Sequence, residues 1–506
     1  MSMRITNSIM NNNTKNNINI NKLNEDKQNT MIATGQKITR PSDDPVVAIR
    51  ALRLNSNISQ SNQYFDKNIP DADAWLKITE TALMQTDTVL AKIKESLTQG
   101  ASDDNTPEDR MNILADLRGM RDQIYSAGNA DYADRTVFTG YRTGESLTFM
   151  DAENTLYNIK EEFSADNISM IKHISGDFDV DKTGADLGTP INQQSIEENT
   201  LYRLRLAYDN VSYPQDATLN YKDNGTDTPV TLNVVEFADD NAYTKPATGA
   251  TLIAETGEII LSDDLRDKLQ AATTTDIYLT YDKEQWQKND LRPEHYFQCT
   301  DKSAADPADY IEYNYTDPDG NALKHFVNQK ISYEISFNQT IEINTNANQV
   351  FTHDICRDVD ELIAATQAVI DADNKLDELK KMAENTDRYS EAQIKEINNR
   401  VEAMTKERDL LADKMQTLFS QGLTTFDGYA DRNNLALTAA GATRKRVELT
   451  KERMQEQLAS FKELADSNIN INLTDAAIDL SNAQLALEAA QMAAGKVAKQ
   501  TLLNYI

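Results

Sequence analysis

Three short stretches hold side chains whose types and spacing could do chemistry. Residues 317–321 read DPDGN, residues 353–356 read HDIC, and Asp43 and Asp44 are adjacent carboxylates inside ATGQKITRPSDDP (33–45). The first resembles the start of a calcium loop. Such a loop needs Gly at its sixth position and Glu at its twelfth. Counting from Asp317, the sixth residue is Ala322 and no Glu closes the loop, so a Pro-Asp-Gly turn is the better account. His353, Asp354 and Cys356 could suggest a metal, but no second Cys/His pair stands at zinc spacing and HExxH is absent. GxSxG, GxxxxGK[ST] and GxGxxG are absent too. No catalytic group, metal site or cofactor site is proposed by the residues, so an enzyme is not expected. The Asp pair fits a helix start better than a metal. Gly35 has the character of a glycine just past a helix end, and Pro41 is expected to keep the linker extended. Asp44 is the candidate N-cap with Pro45 at the first helical position, and Asp43 lies near the positive end of that helix.

A cap and a linker matter only through the helices they join. From residue 69 a 3,4 spacing runs through Ile69, Ala72, Leu76, Thr79, Leu83, Thr86, Leu90, Ile93 and Leu97. Further runs are Leu362 to Ala383, Ile394 to Leu418, and Leu473, Ala476, Leu480, Ala483, Leu487, Ala490, Ala494, Val497, Thr501. Runs sustained over three or more heptads favour a coiled-coil-like seam; a general bundle core is the plainer alternative. The middle of the chain differs. Seven of eleven prolines lie between Pro190 and Pro318, and 13 of 20 tyrosines lie in 150–350. Helix breakers and strand formers thus concentrate there. ISYEISFNQTIEI (331–343) alternates with period 2, and 310–327 reads as a hairpin around Pro-Asp-Gly. The fold class expected is mainly α: a long coiled-coil-like bundle formed by the N- and C-terminal flanks, with an inserted β-rich domain.

The chain carries 51 basic and 81 acidic residues, a formal charge of −30. That opposes binding to nucleic acid or to an anionic membrane surface, both of which need clustered Lys and Arg. Two cysteines, Cys299 and Cys356, cannot build a disulfide framework. No apolar run suits a membrane anchor, and MSMRITNSIMNNN has no apolar core of a Sec signal. Taken alone, these features point to the cytoplasm.

The two ends are complementary. Residues 11–30 contain nine asparagines, costing roughly 5 kcal/mol of helix propensity relative to alanine. This segment should be disordered alone, yet Ile5, Ile9, Ile18 and Leu23 are spaced for burial, which suggests ordering on assembly. In the last helix, Ile478, Leu485 and Met492 form a second apolar line beside the Ala-rich seam. A helix apolar on more than one face contacts more than one neighbour. The expected assembly interface is Ile5, Ile9, Ile18, Leu23, Leu473, Leu480, Leu487, Val497, Leu502 and Ile506.

MRITNSIM (3–10), TGQKITRPSDDP (34–45), DADAWLKITETAL (71–83), RTVFTGYRTGESLTF (135–149) and QTLLNYI (500–506), in that order, resemble the flagellar hook-associated protein 3 family. The likeness covers about 1–150 and 330–506. Flagellin is the alternative; FTGY at 138–141 and the ending Leu-Asn-Tyr-Ile favour the junction family. A flagellar frame whose insert binds a ligand or is enzymatic is a second alternative. Three features depart from the family: Met1-Ser2 extends the usual start, an Asn run stands at 11–13, and Pro70 falls where the family runs a continuous helix. The resemblance implies a junction adaptor between hook and filament, contacting hook-associated protein 1, flagellin, its own copies in a ring and an export chaperone. It also implies an extracellular flagellar location reached through the flagellar type III system without a cleaved signal, in place of the cytoplasm. It divides the chain into an N-terminal assembly helix (1–33), a spoke linker (34–45) and a helical rod (46–150) with a β-hairpin near 135–149. An inserted β-rich domain (151–345), the rest of the rod (346–470) and a C-terminal assembly helix (471–506) follow.

Overall fold

Both flanks of the described chain are helical because apolar residues recur there at helical spacing with few breakers. The computed structural model describes residues 7–102, 105–175, 191–212, 217–239, 241–313 and 329–503, with side chains described over 8–496. Within these, α1 is Asn7–Thr34, α2 Pro45–Gln63, α3 Ile69–Gly100 and α4 Pro107–Gly128. The middle brings β1 Asp131–Tyr132, β2 Arg135–Thr136, β3 Glu153–Phe163, β4 Ser169–Ser175, β5 Glu197–Arg205, β6 Thr218–Asp223 and β7 Thr226–Val235. Then come β8 Ala250–Ile253, β9 Glu258–Leu261, α5 Asp263–Leu269, β10 Thr274–Trp286, β11 Gln298–Asp301 and β12 Ile311–Tyr313. The hairpin β13 Ser332–Ser336 and β14 Gln339–Glu342 precedes α6 His353–Glu384, α7 Glu391–Ile469 and α8 Leu473–Leu503. The fold is mainly α, with long helices at both flanks and an inserted β-rich domain.

The chain divides into two compact units. The first comprises Met1–Ala72, Tyr333–Ile341 and Lys445–Ile506; the second comprises Asp73–Ser332 and Glu342–Arg444.

In the second unit, every α3 seam position from Leu76 to Leu97 is buried. The partner helix is α7: Asn433 Nδ2 donates to Leu83 O at 3.0 Å, and Arg444 spans Asp73 and Glu80 at 2.9 Å each. Gly100 permits the closest approach, because a Cβ there would lie 2.1 Å from the ring of the fully buried Phe419. Helix α4 packs on α6, with Arg110 paired to Asp373 at 2.9 Å.

Among the described residues the insert forms a ten-stranded sheet in the order β12-β11-β3-β10-β6-β7-β8-β9-β5-β4, in which the β7–β8 pair is parallel. Its core gathers Phe149, Tyr157, Tyr208, Tyr281 and Trp286, with Phe149 stacked on Trp286 at 4.6 Å between centroids. The 310–327 hairpin expectation falls mostly on 314–328, outside the described residues; 311–313 forms β12.

Two local expectations need correction, and one open point is resolved. ISYEISFNQTIEI is two strands rather than one, because Asn338 turns the chain in the left-handed region at φ 54°. The short hairpin of the frame lies at 131–136 rather than 135–149. Ala133 and Asp134 both take positive φ there (52° and 61°), the backbone a two-residue hairpin turn requires, while FTGY forms turns around Gly140 at φ 61°. Pro70 does not interrupt the helix. One π turn, Tyr64–Asn68, precedes α3, and Ile69 N–H bonds to Tyr64 O. Widening the turn gives room to a proline that lacks an N–H and crowds the preceding carbonyls.

Candidate assembly interface

The linkers between helices in the first unit are built from local chemistry. Gly35 ends α1 at φ 71°, and its N–H donates to Met31 O at 2.8 Å. A non-glycine residue would be strained in that conformation. Asp44 caps α2: its carboxylate accepts from Val46 N at 3.0 Å and Val47 N at 3.1 Å, with Pro45 opening the helix. Asp43 does something else. Its Oδ2 accepts from Arg40 N at 2.9 Å and Thr39 N at 3.1 Å. These backbone donors, Arg40's first and Thr39's next, hold its carboxyl below the usual range. Pro41 is not extended. It sits inside a turn closed by Asp43 N–H to Arg40 O at 3.0 Å, because its fixed φ suits the second position of such a turn.

This linker is tied to the break between α7 and α8. Gln36 and Asn470 form an antiparallel bridge, Lys37 N–H bonds to Ile469 O at 2.7 Å, and Ile471 N–H bonds to Gly35 O at 3.0 Å. Asn468 Nδ2 adds a bond to Val47 O at 3.1 Å. The two helix breaks therefore lie side by side and hold each other.

Beyond them α1 packs along α8. The half-buried residues of α1 are Thr14, Ile18, Asn21, Glu25, Gln28, Met31 and Ile32, a mixed polar and apolar set. Asn21 Nδ2 donates to Ala486 O at 3.2 Å, while Gln28 Oε1 is buried with no hydrogen-bond partner among the described residues. Other large apolar side chains point elsewhere. Ile9 and Leu23 are exposed, Leu23 at 67%, as are Leu473, Ile478, Leu485 and Met492 on α8. Leu480 and Leu487 are half-buried and Ala476 is buried. The structure thus puts Ile18, Leu480 and Leu487 in partly covered positions and Ile9, Leu23 and Leu473 in solvent. Val497 and Leu502 lie on α8 without described side chains, and Ile5 and Ile506 lie outside the described residues.

Three further exposed residues were missed by sequence reasoning: Val46, Ile49 and Leu52 on α2. PVVAIRALRL holds two apolar lines, and Ala48 and Ala51 take the buried one. The surplus apolar line was the available signal.

The chemistry-bearing stretches have structural places. His353 Nε2 meets Tyr208 Oη at 2.8 Å, and burial lowers its pKa to about 3. Cys356 is buried and free, its thiol pushed up to about 12. Among the described residues no group of three His, Cys, Asp or Glu side chains is placed to hold a metal, and no helix is long and apolar enough to cross a membrane.

Long terminal helices with outward apolar side chains, bridged linkers and an inserted sheet define a mainly helical protein. Residues 5–143 match the bacterial flagellin N-terminal helical region. The chain is also similar to flagellar hook-associated protein 3. It is 27% identical to the Escherichia coli protein of that name over 154 residues, 29% of this chain and 47% of that one. A flagellin of Clostridium tyrobutyricum is 26% identical over 174 residues, 34% of this chain and 45% of that one. The chain spans about half the length of the curated relatives it matches. Among solved structures, Xanthomonas campestris FlgL aligns over 82% of this chain and 99% of its own at 10% identity, with a TM-score of 0.32.

Proposed function

We propose that this chain is a structural, non-catalytic part of the bacterial flagellum, an adaptor joining the hook to the flagellin filament. The observation that carries this is the α1–α8 pair, which leaves Ile9, Leu23, Ile478, Leu485 and Met492 facing out. Exposed apolar lines on paired helices are what neighbouring copies in a ring would cover. The resemblance to hook-associated protein 3 supports a reading in which the chain meets hook-associated protein 1 below and flagellin above, with an export chaperone on α8 before secretion through the type III channel. The spoke at 34–45 joins an inner layer, α1 and α8, to an outer one.

Deleting the gene tests this directly. Flagellin should appear as monomer in the medium, and restoring the gene should recover filaments; unchanged filaments without it would overturn the role. A filament-forming flagellin is the second reading, favoured by the likeness to the Clostridium protein. Purified protein added to filament seeds separates the two, since unlimited growth into long filaments belongs only to the flagellin.

A further inference from the structure

The formal charge of −30 is not spread evenly over the chain. The first unit holds 16 basic and 15 acidic residues and is close to neutral at +1. The second holds 35 basic and 66 acidic residues and carries −31. Exposed large apolar side chains are divided the other way. Among the described residues, 13 of the 22 lie in the first unit, which is a little over a quarter of the chain. Some of them form lines: Val46, Ile49 and Leu52 along α2, and Ile478, Leu485 and Met492 at seven-residue spacing along α8. One unit is thus neutral and adhesive, and the other is strongly charged.

These two properties act at different ranges. An apolar face attracts only where surfaces meet and water leaves. Charge acts over the Debye length, about 30 Å at 10 mM salt, about 8 Å at 150 mM and about 3 Å at 1 M. A net charge far from zero keeps copies of a protein apart. Ion pairs inside the second unit do not relieve this, because each removes one charge of either sign and leaves the excess of carboxylates unchanged. In dilute salt two copies therefore repel before their apolar faces touch. In higher salt the repulsion shrinks to contact range while the apolar attraction stays.

We propose that ionic strength gates the self-association of this chain: charge on the second unit holds free copies apart, and screening lets the apolar lines of the first unit join them. The gate rests on the reading that copies meet through the helices of the first unit, and adds to it the condition under which they do so.

Static light scattering of the full chain from about 10 mM to about 1 M NaCl tests it. At the low end the chain should be monomeric with a positive second virial coefficient. As salt rises the coefficient should fall, and the scattering mass should climb above that of one chain. Six exposed carboxylates of the second unit can be neutralised together by Glu153→Gln, Asp166→Asn, Glu197→Gln, Asp227→Asn, Glu284→Gln and Asp309→Asn. Repulsion follows the product of the two charges, so the salt-dependent part of the coefficient should fall by about a third. Association should then begin at lower salt. Leu485→Asp should keep the low-salt repulsion and remove most of the rise in mass, because it places a charge in the contact. Association already complete at the lowest salt, a neutralised variant that behaves like the parent, or a rise in mass that Leu485→Asp leaves whole would overturn the gate. So would a chain that stays monomeric throughout. If deleting the gene still releases flagellin, that last result removes the gate and leaves the junction role standing.

Discussion

Helices α3 and α8 carry the same kind of heptad spacing and reach opposite ends. In α3 each seam residue of the second unit, from Leu76 to Leu97, disappears beneath its own chain. In α8 the seam is half-covered at Leu480 and Leu487, and a second line at Ile478, Leu485 and Met492 stays in solvent. The pattern of apolar residues is therefore the same statement in both helices, that a face wants a partner. What differs is whether the chain supplies it. Helix α3 has α7 beside it. Among the described residues helix α8 packs along α1, whose half-buried line mixes Thr14, Asn21, Glu25 and Gln28 with Ile18, Met31 and Ile32.

The sharpest way to break this comparison is to truncate a residue in the self-sufficient helix. Leu83 is fully buried. Leu83→Ala should destabilise the isolated chain by about 2–5 kcal/mol, through lost burial and the cavity left behind. Urea unfolding followed by circular dichroism reads it. A change under about 0.5 kcal/mol would mean that α3 is no better satisfied than α8.

The buried interior of the second unit also carries a pH dependence of its own. Glu161 accepts from Ala207 N at 3.0 Å and Tyr281 Oη at 2.8 Å. Burial raises its pKa to about 7 against these bonds. A carboxyl raised on folding keeps its proton in the native state after the unfolded chain has lost it. Its stabilising contribution is complete below about pH 4.5, falls as pH rises toward 7, and is gone above. Glu161→Gln should flatten that fall, by up to about 3 kcal/mol. Unfolding midpoints taken from pH 4.5 to 8 measure it, and an unchanged slope would remove Glu161 as its source.

How much of this is legible without coordinates depends on the range of the interaction. The α3 seam is readable because a helix repeats its environment every seven residues. The insert's β-rich character is readable because prolines and tyrosines crowd into one span. Caps are readable since Asp44 bonds only two and three residues away. The bridge from Gln36 to Asn470 is invisible, because backbone pairing carries no side-chain signature. So is the pairing of Arg203 with Glu361, since each looks like any surface charge until β5 meets α6. Pro41 was misread because its fixed φ fits an extended linker and a turn equally well. The choice is made by Arg40 O receiving a bond from Asp43 N–H.

A smaller effect belongs to the linker. Gly35 lies at φ 71°, and a Cβ there would meet nothing within 4 Å. Gly35→Ala therefore isolates backbone strain, about 1 kcal/mol. It should appear as faster amide exchange at residues 35–37 and 471, where the two helix breaks bond to each other. Exchange rates that do not move would show that this bridge does not depend on the left-handed turn.

The smallest effect on the free chain is the one that separates α8 from α3 most cleanly. Leu485 is 60% exposed, so Leu485→Asp should shift the unfolding free energy by no more than about 0.5 kcal/mol. In the flagellum the same position would be covered by another copy, and an aspartate there would be buried without a partner, at a cost of several kcal/mol. A strain carrying Leu485→Asp should therefore export a stable, folded protein and still release flagellin into the medium. Normal filaments from that strain would mean that the outer line of α8 stays in water after assembly, and the exposed faces of the two terminal helices would need another explanation.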